Sequence, residues 1–179
     1  MLKRIINDIQ RCLENECFIA ALSLALTIPD VCGKAEYPSV GNTERYIKWY
    51  NEHIGVYEKP SDPYGSDMPY TSGEIIYNLR NSMLHQGTPS VDVSKVKEER
   101  CKVDKFVLAI SSECDSGMSC VSYAGNNTII HRSLTVNIVN LCKKICAVAN
   151  GYYKETADKF NFFEYELEDE RERINPFFA

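Results

Sequence analysis

Three residues whose types suit work on a phosphate group stand close together in the chain: Arg80, Asn81 and His85. An arginine guanidinium stays charged and donates two parallel hydrogen bonds to a phosphate. A histidine takes up and releases protons near neutral pH, since its unperturbed pKa is about 6.5. The asparagine could orient the imidazole or donate to a phosphate oxygen. This set suits RNA cleavage without a metal, in which the 2′-hydroxyl attacks the neighbouring phosphorus.

The surrounding sequence predicts a helix that presents these three residues on its surface. Thr71-Ser72-Gly73-Glu74 has the pattern of a capping box, and Gly87 supplies the left-handed residue on which helices often end. Residues four apart are neighbours on a helix, so Asn81 and His85 should lie side by side, with Arg80 beside them. The apolar residues at the helical period define the buried stripe on another side: Ile75, Ile76, Leu79 and Met83.

An arginine followed by a polar residue, with a histidine four to six positions beyond the arginine, resembles the motif of the HEPN (higher eukaryotes and prokaryotes nucleotide-binding) superfamily. The resemblance implies a helical bundle and a metal-independent endoribonuclease. It implies a homodimer in which the motifs of two subunits meet. It assigns phosphate binding and catalysis to Arg80, the role of polar companion to Asn81 and proton transfer to His85.

The same resemblance implies an RNA or nucleotide substrate and a role in toxin–antitoxin or other defence systems, with a cognate antitoxin as partner if the protein is a toxin. Two alternatives stay open on the sequence. One is a bundle that binds a nucleotide, RNA or a protein without catalysis. The other is a structural role, in which Arg80 pairs with an acid of the bundle and His85 bonds the last carbonyls of its own helix.

Composition narrows the class of protein. The 179 residues suit one domain, 1–179, with 44% hydrophobic and 25% charged residues and a formal net charge of -5. That charge argues against a broad nucleic-acid surface but allows a small site for one or two phosphates. The apolar run from Cys17 to Ile28 is too short for a membrane span, so we expect a buried core helix in a cytoplasmic protein.

The eight cysteines contain no C-x-x-C pair and mostly occupy apolar positions, so we interpret them as reduced and buried. Cys142 and Cys146 stand four apart, but no histidine or acid partners them at ligand spacing. We predict neither a metal site nor a cofactor. A second histidine–arginine pair, His131 and Arg132, lies on a predicted strand, where adjacent side chains point to opposite faces, and is interpreted as structural.

The predicted fold is mainly α: a HEPN-like helical bundle with a small antiparallel β insertion, at about 101–134, before the last long helix. Helices are predicted from Leu2 to about Leu13, from Cys17 to Ile28 until Pro29, Asp30 and Gly33 end that helix, and from Asn42 or Thr43 to Ile54. A last helix should be capped by Thr135 and run to about Tyr153. An acidic and aromatic tail follows from about 159 to 179, and part of it should dock through its phenylalanines.

Overall fold

A computed structural model describes residues 1–61, 65–111 and 117–162, which fold mainly as helices with one small sheet. The α-helices and strands of these ranges are α1 Leu2–Glu14, α2 Phe18–Ala25, α3 Ile28–Glu36, α4 Asn42–Tyr50, α5 Val56–Glu58, α6 Gly73–Asn81, β1 Lys105–Ala109, β2 Gly117–Tyr123, β3 Ile129–Asn137 and α7 Ile138–Glu155. Single π-helical turns are Asn51–Gly55 and Ser82–Gln86, and short 3-10 turns are Val93–Lys95, Glu99–Cys101 and Ala157–Phe160.

The core lies where α7 packs against α1, α2 and α3, and where α4 packs against α3 and α6. The first predicted helix is confirmed as α1, which buries Leu2, Ile6 and Ile9. The predicted apolar periodicity is confirmed in α6, where Ile75, Ile76 and Leu79 are fully buried. Burial of these stripes, each side chain contributing about 1.5–3 kcal/mol, holds the bundle together.

The helix predicted from Cys17 to Ile28 is confirmed as α2, but it ends at Ala25, earlier than predicted. The chain turns at Leu26 and Thr27, α3 begins at Ile28, and Pro29, Asp30 and Gly33 belong to α3 instead of ending a helix. The reason is that proline is well tolerated at the start of a helix, where its missing N–H would have no partner. Asp30 therefore stands in the first turn of α3, facing the bundle.

Together α2 and α3 make one stretch, Phe18–Glu36, that is long and apolar enough by composition to cross a membrane. Half of its assessed window is buried inside the fold, as in the core helices of soluble proteins. This agrees with the predicted core position of the apolar run and is compatible with a soluble protein.

Glycine allows α4 and its neighbours to approach closely. A Cβ on Gly33 of α3 would lie 2.8 Å from the carbonyl oxygen of Arg45, and a Cβ on Gly73 of α6 would lie 2.7 Å from that of Ile47. The α4 helix starts at Asn42 with Gly41 as its N-cap, one residue before the predicted caps. The close approaches at Gly33 and Gly73 fix α3 and α6 on two sides of α4.

The predicted antiparallel β insertion is only partly correct. The strand order is β1-β3-β2, and β3 pairs antiparallel with β2 but parallel with β1. The central strand extends to Asn137, so the sheet passes the predicted boundary at 134. A parallel pairing requires the chain to cross over, and hydrophobic pattern does not encode that direction. Residues 112–116, between β1 and β2, lie outside the described residues.

The last long helix is confirmed, but its cap is not Thr135, which lies within β3. The N-cap of α7 is Asn137, whose side-chain oxygen accepts hydrogen bonds from the backbone N–H of Val139 at 3.1 Å and Asn140 at 3.4 Å. Of the tail, Phe160 is buried against Tyr152, which confirms docking there. The acidic part of the tail lies outside the described residues.

Candidate active site

The helix that carries the candidate residues begins with a cap one residue later than predicted. The hydroxyl of Ser72, not Thr71, accepts from the backbone N–H of Ile75 at 3.4 Å. Glu74 does not complete a capping box, because its carboxylate accepts from the backbone N–H groups of Lys97 at 2.8 Å and Glu98 at 3.2 Å. The acid thus ties the start of α6 to the segment that leads into the sheet.

At the other end of α6 the helix changes type. The α-helix ends at Asn81 and continues for one π-helical turn, Ser82–Gln86, before Gly87 ends it with a φ of 68°. The left-handed conformation predicted for Gly87 is confirmed. In a regular α-helix, residues five apart point about 140° away from each other around the axis. The wider π turn brings His85 back toward Arg80, and such turns occur frequently at functional sites.

The structure brings the three predicted residues together. The Arg80 Nη1 group donates to Asn81 Oδ1 at 2.9 Å and lies 3.4 Å from His85 Nε2. His85 is exposed, while Arg80 and Asn81 are half-buried. The polar surface predicted at the end of this helix therefore exists, with the imidazole at its accessible edge.

The contact between Arg80 and His85 assigns roles to the ring nitrogens. A guanidinium only donates, so a hydrogen bond from Arg80 Nη1 requires His85 Nε2 to accept, with the ring proton on Nδ1. In this tautomer the lone pair that could take a proton from a substrate points at the guanidinium. A phosphate that drew Nη1 toward itself would release that lone pair.

A fourth residue, which the sequence pattern does not single out, completes the cluster. Asp30 of α3 accepts from Arg80 Nε at 3.0 Å and from Nη2 at 2.8 Å, both on Oδ2. Only 22% of the Arg80 side chain and 23% of the Asp30 side chain are exposed. Asp30 is marked by its position in the first turn of α3. This position does not link it to Arg80, which lies 50 positions further along the chain.

Two opposing effects act on the pKa of the Asp30 carboxyl in this cluster. Burial raises the pKa of the Asp30 carboxyl, while the neighbouring Arg80 and Arg45 guanidinium groups act to lower it. Burial is therefore the stronger influence, and ionised Asp30 depends on its cations. The ion pair is the one that the structural alternative anticipated, a bundle acid bound to Arg80. It is also compatible with a site, since it leaves the Nη1 end of Arg80 directed at Asn81 and His85.

Aromatic side chains support the cluster from α4 and α6. Tyr77 lies one turn before Arg80, packs edge-to-face on Tyr46 with ring centroids 5.1 Å apart, and shares a hydrogen bond of 2.7 Å with the Thr43 hydroxyl. The buried Tyr46 hydroxyl donates to the Leu26 carbonyl at 2.9 Å. These contacts fix α4 against α6 beneath the polar surface.

The remaining histidines serve other contacts. His131 Nδ1 lies 3.6 Å from Asp104 Oδ2, and Arg132 Nε donates to the Asp67 carbonyl at 3.4 Å, which agrees with the structural interpretation of this pair. His53 stacks on Trp49 with ring centroids 4.8 Å apart. It lines a cavity of about 400 Å³ that none of Arg80, Asn81 and His85 lines.

The paired cysteines of α7 lie inside the bundle. Burial raises the pKa of Cys142 to about 12 and that of Cys146 to about 11, so both stay protonated at neutral pH. They behave as small apolar residues of the core. Across residues 1–61, 65–111 and 117–162, no group of three histidine, cysteine or acidic side chains is arranged to hold a metal ion.

The cluster around Arg80 therefore combines one accessible imidazole, one amide and one guanidinium. The Asp30 carboxylate binds the edge of this guanidinium that Nε and Nη2 form. Such an arrangement can bind a phosphate through the arginine and move a proton through the histidine. Comparisons of the chain with protein-family models, with curated proteins and with solved structures found no match.

Proposed function

We propose that this protein is a metal-independent endoribonuclease of the HEPN type, acting as a homodimer in which two copies of Arg80, Asn81 and His85 line one cleft. The observation that carries the proposal is the contact of Arg80 Nη1 with both Asn81 Oδ1 and His85 Nε2 on an accessible surface. The motif spacing that resembles the HEPN superfamily supports the same activity.

In the proposed reaction, Arg80 binds the phosphate that is cleaved, and its charge stabilises the phosphorane as negative charge builds up. Once Nη1 donates to a phosphate oxygen, His85 Nε2 is free to take the proton of the 2′-hydroxyl. The 2′-oxygen then bonds to phosphorus, the bond to the 5′-oxygen breaks, and the protonated His85 of the second copy donates a proton to that leaving oxygen. The products are a 2′,3′-cyclic phosphate and a free 5′-hydroxyl. Asn81 Oδ1 accepts a hydrogen bond from Arg80 Nη1 and so holds the guanidinium in place.

A second candidate function is a bundle that binds a nucleotide, RNA or a protein without cutting. The ion pair of Arg80 with Asp30 favours it, because a partly buried pair of this kind can also join α3 to α6 in a fold that has no catalytic task. The two candidates differ in whether His85, which is exposed, is needed for any chemical change.

The test is cleavage of mixed cellular RNA in excess EDTA by the wild type, Arg80→Ala and His85→Ala, each checked for folding by circular dichroism. We expect wild-type cleavage with cyclic phosphate ends and a loss of about 10²-fold or more in each variant, the usual size of a general acid–base contribution. His131→Ala is the matched control, since that histidine is half-buried on β3 and pairs with Asp104.

Cleavage by the wild type and His131→Ala, but by neither site variant, would establish the nuclease. Equal cleavage by the wild type and His85→Ala would refute the assigned site. Absence of cleavage by the wild type, with RNA still bound, would favour the second candidate. Loss of that binding in Arg80→Ala would then place the binding surface at the same cluster.

A further inference from the structure

Asp30 binds one side of the Arg80 guanidinium, and Asn81 and His85 lie at another side. Both of its hydrogen bonds come from the side edge, from Nε at 3.0 Å and Nη2 at 2.8 Å. A guanidinium has five N–H groups in a fixed planar fork, so the Nη1 group and one N–H of Nη2 remain on the end of the fork. That end is where Asn81 and His85 lie.

We propose that Asp30 is the positioning residue of the site, which holds the side edge of Arg80 so that the end of the fork faces the phosphate and His85. This inference rests on the proposed nuclease function and extends it to a residue outside the recognised motif. Asp30 does not touch the substrate. It acts through Arg80.

The backbone around Asp30 is suited to this task because it cannot shift easily. Asp30 stands one turn before Gly33, and a Cβ at Gly33 would lie 2.8 Å from the Arg45 carbonyl oxygen. The close contact fixes α3 against α4, while α4 in turn packs on α6, which carries Arg80. The carboxylate is therefore held by one pair of packed helices and the guanidinium by another that shares α4.

The charge of the cluster also fits one phosphate. The Arg45 guanidinium also acts to lower the pKa of the Asp30 carboxyl, although burial raises that pKa more strongly. Arg80, Arg45 and Asp30 taken alone carry two positive charges and one negative charge, in a chain whose net charge is -5. The sum of these three charges suits the single negative charge of one phosphodiester.

The experiment measures kcat and KM for RNA cleavage in EDTA by the full-length wild type, Asp30→Asn and Asp30→Glu, with kcat corrected for the folded fraction. We expect Asp30→Asn to lower kcat by about 10²-fold, the size typical of a misplaced catalytic group. Asp30→Glu keeps the charge and should recover at least about tenfold of that loss. Glu99→Gln is the control, because it removes an exposed ion pair with Lys102 and should leave kcat unchanged.

A second comparison separates positioning from a structural role. Arg80→Lys keeps a positive charge but lacks the side edge that Asp30 binds, so adding Asp30→Asn to it should change kcat by less than about threefold. If Asp30 merely stabilised the fold, Asp30→Asn would lower the melting temperature and leave the corrected kcat unchanged. That result, or a full additional loss in the Arg80→Lys background, would overturn the inference while the nuclease stood. Absence of wild-type cleavage would instead refute the nuclease, and the inference with it.

Discussion

Replacing Arg80 by methionine should destabilise the fold more at neutral pH than at acidic pH. Methionine keeps much of the apolar stem of the side chain and removes the charge, so the packing contribution is largely preserved. The Asp30 carboxylate would then remain in a site where only 23% of its side chain is exposed. Burial already raises its pKa above the ordinary value of 3.8 with Arg80 present, and losing Arg80 should raise that pKa further.

The direction of this pH dependence follows from the raised pKa of the Asp30 carboxyl. A carboxyl whose pKa is higher in the folded protein binds protons more readily when folded, so its ionised form costs stability above that pKa. The cost disappears as the pH falls through the raised pKa toward 3.8. Each unit of added pKa corresponds to about 1.4 kcal/mol. Because both side chains keep about a quarter of their surface in water, we expect a deficit of about 1–2 kcal/mol at pH 7.

The assay is urea unfolding of the wild type and Arg80→Met at several pH values between 7 and 4, with the difference in unfolding free energy taken at each pH. The difference should shrink as the pH falls, although both proteins lose stability in acid for other reasons. Adding Asp30→Asn to Arg80→Met should restore stability at pH 7, because no buried charge is then left unpaired. A deficit that stays constant or grows on acidification would refute the reasoning.

Two further predictions concern the packing of α4. Gly73→Ala should destabilise the protein by about 1–3 kcal/mol, since the added Cβ would meet the backbone oxygen of Ile47 at 2.7 Å. Gly151→Ala in α7, where nothing lies within 4 Å, should instead stabilise by about 0.5–1 kcal/mol, and thermal melts of both variants check the pair. Tyr46→Phe should cost about 1 kcal/mol in urea unfolding, because the Leu26 carbonyl loses its buried donor; an unchanged midpoint would contradict that hydrogen bond.

The helix that carries the site could be predicted because its signals are local. Apolar residues at the helical period, a hydroxyl near its start and a glycine after its end all act within one or two turns. The three polar residues at its end therefore lie together as predicted. The position of the cap was wrong by one residue because Glu74 bonds to Lys97 and Glu98, partners that lie more than 20 positions away.

What the sequence did not predict depends on contacts between distant segments. The turn at Leu26 and Thr27 interrupts a run that is mostly apolar, so no marked change of composition locates it. The partner of Arg80 is one of many acids in the chain, and only the packing of α3 on α4 selects Asp30. The parallel pairing of β1 with β3 likewise depends on the path of the chain between them.

The π-helical turn at Ser82–Gln86 bears on how such motifs are recognised. In an uninterrupted α-helix the residue that follows Arg80 by four positions, Leu84, would occupy the neighbourhood that His85 now takes. An insertion of one residue into an ancestral helix, absorbed locally as a bulge, would convert one spacing into the other without moving the helices on either side. Motifs with different spacings between arginine and histidine would then place the two side chains in the same arrangement. A spacing of four would indicate a regular α-helix, and a spacing of five would indicate a π-helical turn.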